Sequence, residues 1–340
     1  MKTRVAINGF GRIGRLSFRI AFERTDIEIV AFNDLTDTKT LAHLLKYDTN
    51  YGEYHHEISH TDSSIIVDST EIPVFAEKDP AQLPWADKNV DVVIESTGRF
   101  TTEELARAHI TAGAKKVVLS APAKGGDIQT VVIGANEDTL EQSGDIVSNA
   151  SCTTNSAAAM MDIMEHNFGV EKAMLTTIHS YTASQNLQDG PHKDLREARA
   201  AAQNIVPTTT GAAIATALTV PELKNKFDGL SIRVPTSVVS LSDVTMVLKR
   251  DTTKEQINEV FRKAAKEPYY QGILAVSEEP LVSHDYIGNS HSGTVDLLLT
   301  NVVGGNLAKI VVWYDNEWGY SNRLVEQVAD TGRLLAKAKA

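Results

Sequence analysis

Among 340 residues there is a single cysteine, Cys152, and its setting suits chemistry. It lies in Ser148-Asn149-Ala150-Ser151-Cys152-Thr153-Thr154-Asn155, where a strand-like run gives way to a helical pattern. A thiol at a helix N-terminus meets unpaired amides and the positive end of the helix dipole. Its pKa is therefore expected below the ordinary thiol value, with thiolate available near neutral pH. A lone thiol can equally pack as a small hydrophobe, and its neighbours must decide. One cysteine excludes an internal disulfide and any Cys-cluster metal site, and no metal is expected. A nucleophile of this kind works with a base. His179, in Thr176-Thr177-Ile178-His179-Ser180-Tyr181-Thr182, is the first histidine beyond the predicted helix on a strand-like run. Strand and helix packed back to back bring it to Cys152, although by residue type any of the ten histidines is a candidate.

A second constellation opens the chain. Asn8-Gly9-Phe10-Gly11-Arg12-Ile13-Gly14 satisfies G-x-G-x-x-G between a predicted strand and helix. Gly9 permits the tight turn, Gly11 lets a pyrophosphate approach the backbone, and Gly14 lets helix and strand pack closely. The pyrophosphate then rests on the amides of the helix beginning near Arg12. Asp34 follows the next predicted strand, at the spacing of the acidic residue that accepts from ribose hydroxyls and repels a 2′-phosphate. The pattern favours NAD over NADP.

The elements that must position these residues follow from periodicity. Strands are predicted at Arg4–Asn8, Ile27–Asn33, Val90–Ser96, Lys116–Ser120, Gln129–Gly134 and Ile146–Asn149, and helices at Arg12–Arg24 and Thr101–Gly113. Such alternation means βαβ crossovers and a mostly parallel sheet. Ile65–Val67 and Ile72–Val74 suggest an antiparallel excursion within Tyr54–Val74. Beyond Ser151 the pattern is helix Thr153–Asn167, strand Lys172–Thr182 and a long polar loop Ala183–Val206, of a length that is usually functional. Then come strands Leu230–Val234, Val238–Lys249, Thr294–Thr300 and Leu307–Tyr314, with helix Thr253–Lys266 among them. This predicts an α/β Rossmann dinucleotide-binding domain at 1–151, and an α+β catalytic domain with a mainly antiparallel sheet at 152–316. A last helix, at about 317–340, is expected to pack back onto the first domain.

The formal net charge of −11 argues against a dedicated nucleic-acid binder. No apolar run approaches the ~18 residues of a membrane helix. Met1-Lys2-Thr3 leads directly into the first strand, so no signal segment and no membrane association are expected, and the expected location is cytoplasmic.

With these residues in view, the sequence resembles the phosphorylating glyceraldehyde-3-phosphate dehydrogenases of the bacterial and eukaryotic type. The resemblance runs from Ile7–Arg15 through Ser151–Asn155, His179–Thr182, Thr210–Ala213 and Arg233–Thr236 to Trp313–Glu317. It implies a glycolytic oxidoreductase that converts glyceraldehyde 3-phosphate, NAD and inorganic phosphate to 1,3-bisphosphoglycerate, with Cys152 as nucleophile and His179 as base. It implies Thr182, Arg196 and Arg233 around the substrate phosphate, and Ser151, Thr153, Thr210 and Gly211 around inorganic phosphate. Arg199, one helical turn from Arg196, is an alternative to it. On the cofactor it implies Phe10, Arg12 and Ile13 with the glycine loop, Thr97, Gly98, Ser120, Asn316 and Tyr320. Lys78 stands where the family usually has Arg. A homotetramer is implied as well.

Three positions depart from the family pattern: Ser184, Gly190 and Glu197. Glu197 adds a carboxylate near the proposed phosphate residues and is expected to face solvent. Gly190 removes one steric argument against NADP, while Asp34, Leu35 and Pro191 still favour NAD. The alternatives are an erythrose-4-phosphate dehydrogenase, or an NAD-binding scaffold without catalysis.

Overall fold

A computed structural model describes residues 2–338. The chain divides into two compact units, one of Met1–Val131, Asp138–Ala150 and Ser321–Ala340, the other of Val132–Glu137 and Ser151–Tyr320.

The first unit is built on βαβ crossovers. Its strands are β1 (Thr3–Asn8), β2 (Ile27–Asn33), β3 (Tyr47–Asp48), β4 (Gly52–Glu53), β5 (Ile58–His60), β6 (Ser64–Val67), β7 (Thr70–Phe75), β8 (Val92–Glu95), β9 (Lys116–Leu119), β10 (Gln129–Thr130) and β11 (Ile146–Ser148). Helices α1 (Arg12–Phe22), α2 (Thr38–Lys46) and α3 (Glu103–Thr111) lie between them. Nine strands form one sheet in the order β10-β11-β9-β8-β1-β2-β7-β6-β5. Pairing is parallel from β10 through β7 and antiparallel only where β7, β6 and β5 form the Ile65/Ile72 excursion. The strand order reverses on either side of β1, which opens a crevice at the carboxyl ends of β1, β2 and β8.

The elements of this unit differ from the sequence expectation in several places. Gln129–Gly134 is strand only to Thr130, because the Val132 amide donates to the Asn136 side chain at 2.8 Å and the chain turns away. Thr101–Gly113 starts as helix at Glu103, where Thr102 caps the Leu105 amide. The nine residues of α2 were not expected, although Asp37 caps the Thr40 amide at 2.9 Å.

The second unit holds α4 (Cys152–Phe168), β12 (Val170–Ser180), β13 (Val206–Thr209), α5 (Ala212–Thr219), β14 (Phe227–Val234), β15 (Ser240–Leu248), α6 (Lys254–Ala264), β16 (Leu274–Ser277), β17 (Gly293–Asp296), β18 (Asn301–Val303) and β19 (Leu307–Tyr314). Its sheet runs β13-β14-β12-β15-β19-β17-β16, with β18 also paired to β19. Pairing is antiparallel except for β12 with β14 and β16 with β17. Helix α4 carries Ala157, Ala158, Ala159, Met160, Met161 and Met164 into the core, all almost fully buried. Small side chains allow the close approach, and flexible methionines fill what remains. The strand expected over Thr294–Thr300 ends at Asp296, whose carboxylate takes the Leu298 and Leu299 amides and closes a turn. Val132–Glu137 groups with this unit rather than the first, since Glu137 accepts from the Tyr269 hydroxyl at 2.9 Å.

The last helix, α7 (Trp318–Lys337), continues the chain from the second unit into the first. Within the first unit Gly332 sits so close to Thr3 that a Cβ would overlap it, and Gln327 pairs with Asn149. Among the described residues no helix is long and apolar enough to cross a membrane.

Candidate active site

The turn into α4 sets the thiol. Ala150 adopts φ +60°, unusual for a residue with a Cβ, and turns the chain out of β11. Ser151 then caps the helix, its Oγ accepting from the Thr154 amide at 3.0 Å, and Cys152 is the first helical residue. Cys152 Sγ lies 3.5 Å from Nε2 of His179, near the end of β12. The parallel register of β12 and β14 sets His179 against Arg233, and Arg233 Nη1 approaches His179 Nδ1 to 2.6 Å. The Ser180 carbonyl oxygen lies 2.7 Å from the same Nδ1.

The electrostatics correct one expectation. Burial pushes the Cys152 thiol above its ordinary value, and Arg233, followed by the Thr153 hydroxyl and amide, only partly opposes it. The lowering expected from the helix terminus is thus outweighed by desolvation of the thiolate. His179 moves the other way. Burial first, then the Arg233 guanidinium, depresses its pKa to about 3, against the pull of the Ser180 carbonyl. The pair is therefore a neutral thiol beside a neutral imidazole near pH 7. Nδ1 faces both a donor and an acceptor and can satisfy one. If Nδ1–H donates to Ser180 O, the Nε2 lone pair faces Sγ and can take a proton. If Nδ1 accepts from Arg233, Nε2–H faces Sγ instead.

Several supporting side chains were not singled out from sequence. The Tyr314 hydroxyl, at the end of β19, bonds both Thr153 Oγ1 and Thr177 Oγ1 at 2.8 Å. Its ring stands edge-on to His179 at 6.0 Å. Ser180 donates its hydroxyl to the carbonyl of Val239, a β-branched residue held at φ +69°. Ser240 accepts from the Ser180 amide and donates to Asn316 Oδ1 at 3.0 Å. Tyr314 lies in the Trp313–Glu317 run of the resemblance, but nothing in its spacing pointed to Thr153 or Thr177. Strain at Val239 marks a segment held by its surroundings.

The candidate phosphate residues fall into separate settings. Thr153 is buried and its hydroxyl is engaged by Tyr314, whereas Ser151 Oγ caps the helix and also meets Thr154 Oγ1 at 2.8 Å. Thr210 Oγ1 accepts from the Ala212 amide, and Gly211 starts α5 with no side-chain cap and open space where a Cβ would stand. The Nε of Arg233 is buried without a partner. Thr182 Oγ1 meets Ser184 Oγ at 3.0 Å. Arg199 is committed to Asp189 at 2.9 Å, whereas the exposed Arg196 guanidinium has no ion pair among the described residues. Glu197 contradicts expectation. Its side chain is mostly covered, with a carboxylate oxygen 3.8 Å from His192 Nε2 and 3.5 Å from Ser184 Oγ.

In the first unit a cavity of about 530 Å³ opens at the carboxyl ends of β1, β2 and β8, lined by Gly9, Gly11, Asp34, Lys78, Ser96 and Thr97 among others. Gly9 has φ +92°, and a Cβ there would meet the Thr97 amide at 2.7 Å. A Cβ on Gly14 would overlap the Gly9 carbonyl, while one on Gly11 would point into open space. Gly11, the N-cap of α1, lines this cavity, and no side chain caps the helix there. Asp34 accepts the Phe10 amide at 2.8 Å and the Thr36 amide at 3.0 Å, which aims its carboxylate and leaves a lone pair on each oxygen. This cradle fits a dinucleotide. The Arg12 guanidinium pairs with Asp48 at 2.5 Å, and the Phe10 ring is buried against Phe32. Ile13 is partly buried in the first turn of α1. Gly98 follows Thr97 at φ +70°, and the Ser120 amide donates to the Glu95 carbonyl. In the second unit Asn316 is buried against Ser240, and Tyr320 is buried with its phenol pushed far up by burial and by Cys152.

The first unit carries a dinucleotide cradle and the second a thiol–imidazole pair, features of the class of NAD-binding oxidoreductases. Comparison with known proteins narrows the class. Residues 3–103 match the family described as glyceraldehyde 3-phosphate dehydrogenase, NAD binding domain, and residues 151–316 match its C-terminal domain. The chain is 57% identical over 336 residues to the glyceraldehyde-3-phosphate dehydrogenase of Thermotoga maritima, covering 98% of this chain and 99% of that one. It is 54% identical to glyceraldehyde-3-phosphate dehydrogenase 1 of Bacillus cereus, covering 96% and 98%. The corresponding enzyme of Geobacillus stearothermophilus is 53% identical, covering 97% and 98%. The chain belongs to the glyceraldehyde-3-phosphate dehydrogenase family.

Proposed function

We infer that the chain oxidises glyceraldehyde 3-phosphate with NAD and inorganic phosphate to 1,3-bisphosphoglycerate. The observation that carries the reading is the thiol–imidazole pair, Cys152 Sγ 3.5 Å from His179 Nε2, with Arg233 alongside. In the first step the thiol proton passes to His179 as the sulfur adds to the aldehyde carbon, and His179 hands that proton to the former carbonyl oxygen, leaving a neutral imidazole beside a hemithioacetal. The Cys152 amide, at the helix terminus, faces the developing oxyanion. His179 next takes the hydroxyl proton of the resulting hemithioacetal while the carbon is oxidised to a thioester. Bound NAD supplies the hydride acceptor for that oxidation. A phosphate oxygen then attacks the thioester carbon, the carbon–sulfur bond breaks, and the sulfur regains a proton.

Arg233, Arg196 and Thr182 are assigned to the substrate phosphate, and Ser151, Thr153, Thr210 and Gly211 to inorganic phosphate. An anion competing for the Arg233 guanidinium frees His179 Nδ1 to donate to Ser180, the tautomer in which Nε2 is a base. On the cofactor, Asp34 takes the ribose hydroxyls, the amides from Gly11 to Ile13 take the pyrophosphate, and Asn316 and Tyr320 attend the nicotinamide. Lys78, Thr97, Gly98 and Ser120 complete the contacts. The assembly is a homotetramer, supported by exposed apolar side chains of the second unit, including Ile205, Ile214, Leu218 and Met174. The protein acts in the cytoplasm.

Initial rates of NADH formation from glyceraldehyde 3-phosphate test this reading. Formation is expected to require phosphate, and NAD is expected to give a much higher kcat/KM than NADP. Phosphate-indifferent oxidation instead points to the acid-releasing erythrose-4-phosphate type, and no oxidation at all points to a scaffold.

A further inference from the structure

The first unit carries a second cluster of chemistry-bearing side chains that the proposed reaction does not use. Glu23 closes α1 as its C-cap, and His55 and His56 follow the β3–β4 hairpin. His56 Nε2 lies 2.6 Å from Glu23 Oε1, and His55 Nε2 lies 3.5 Å from the same oxygen. One donor atom from each of the three side chains falls within 4.8 Å of the others. The opposite ring nitrogen of His56 is 2.7 Å from Asp68 Oδ2. With Nδ1–H donating to Asp68, the Nε2 lone pair points at a carboxylate oxygen. Two acceptors 2.6 Å apart require a positive charge between them, either a second proton or a metal cation.

We propose that Glu23, His55 and His56 form a binding site for a divalent late first-row transition metal of the zinc class, with Asp68 positioning His56. Two imidazoles and one carboxylate make a donor set that such ions favour over magnesium or calcium. In tetrahedral zinc coordination with bonds of about 2.0–2.1 Å, neighbouring ligand atoms stand about 3.3–3.4 Å apart. The His55–Glu23 separation of 3.5 Å already matches, and the His56–Glu23 contact must open by less than about 1 Å. The parts that must move lie at the surface, although Glu23 Oε1 also accepts from the Tyr54 hydroxyl at 3.3 Å and the His55 ring packs on His56 at 4.1 Å. The His55 and Glu23 side chains are 72% and 52% exposed, whereas His56, at 15%, is fixed between Phe22, Tyr54 and Asp68. The carboxylate behind the ring is the outer-shell arrangement that orients metal-bound histidines. The two carboxylates also hold a proton on His56 more tightly than usual, against the effect of burial, so a metal competes there with a proton.

The test is a Zn²⁺ titration of the full chain by calorimetry near pH 7.5. Cys152 is first alkylated, so that the thiol–imidazole pair does not bind the ion. One Zn²⁺ per chain is expected. It should be lost in His56→Gln and Glu23→Gln, and weakened about 10–100-fold in Asp68→Asn. His55→Gln, at an exposed position where folding is not at stake, should also weaken binding, and NADH-forming activity before alkylation reports that each variant is folded. No saturable binding, or binding unchanged in His55→Gln and Glu23→Gln, overturns the proposal.

Discussion

At Cys152 two effects oppose one another. The helix terminus and Arg233 favour thiolate, burial favours thiol, and burial prevails. The reactivity of the thiol in the free protein should therefore depend on how much positive charge Arg233 supplies. Replacing Arg233 with Leu removes a cation that lowers both Cys152 and His179, so both pKa values rise. The pH midpoint for alkylation by uncharged iodoacetamide should accordingly move upward in Arg233→Leu. An unchanged or lower midpoint contradicts the role given to the guanidinium. His179→Gln should lower kcat by about 10²–10⁴ while the substrate still binds, as loss of a general base does. An equal loss confined to KM goes against that role. At this scale the sequence was legible where local rules govern. A thiol at a strand-to-helix turn and an acidic residue after the second strand each carry a short-range signature. The contacts that arise from strand pairing were not legible. Arg233 reaches His179 because β12 and β14 run parallel, and Tyr314 reaches Thr153 from 161 positions away. Glu197 turns inward because His192 and Ser184 await it, and no spacing rule announces that.

The glycine loop between β1 and α1 separates packing from ligand access. Gly14 is needed by the fold, because a Cβ there overlaps the Gly9 carbonyl, whereas a Cβ on Gly11 meets nothing. Gly14→Ala should therefore lower the thermal midpoint. Gly11→Ala should leave it within a degree or two, since a surface change away from structural features is worth within about ±0.5 kcal/mol, yet weaken NAD binding strongly. Calorimetry with NAD and a melting curve for each variant check this. Equal loss of stability in both contradicts the division. The longer elements were readable from periodicity, whereas short ones such as α2, α5, β13, β16 and β18 were not, and neither were element ends. β10 stops at Thr130 and β17 at Asp296 because the side chains of Asn136 and Asp296 capture amides. Helix α2 is short enough that its apolar pattern is faint, although its Asp37 cap was a usable signal.

Over the whole chain, the second unit leaves Ile205, Ile214, Leu218 and Met174 each more than half exposed. Apolar area of this kind favours association. Light scattering behind size exclusion should give four chains per particle, and a monomer that persists on concentration contradicts the assembly. The central claim concerns the covalent intermediate. It is tested most directly by mixing the protein with glyceraldehyde 3-phosphate and NAD, without phosphate, quenching in acid and weighing the intact chain. The account predicts a mass increase of one phosphoglyceroyl group, located on the peptide bearing Cys152, that disappears when phosphate is added before the quench. NADH formation with no adduct on Cys152, or an adduct that phosphate does not discharge, would contradict it.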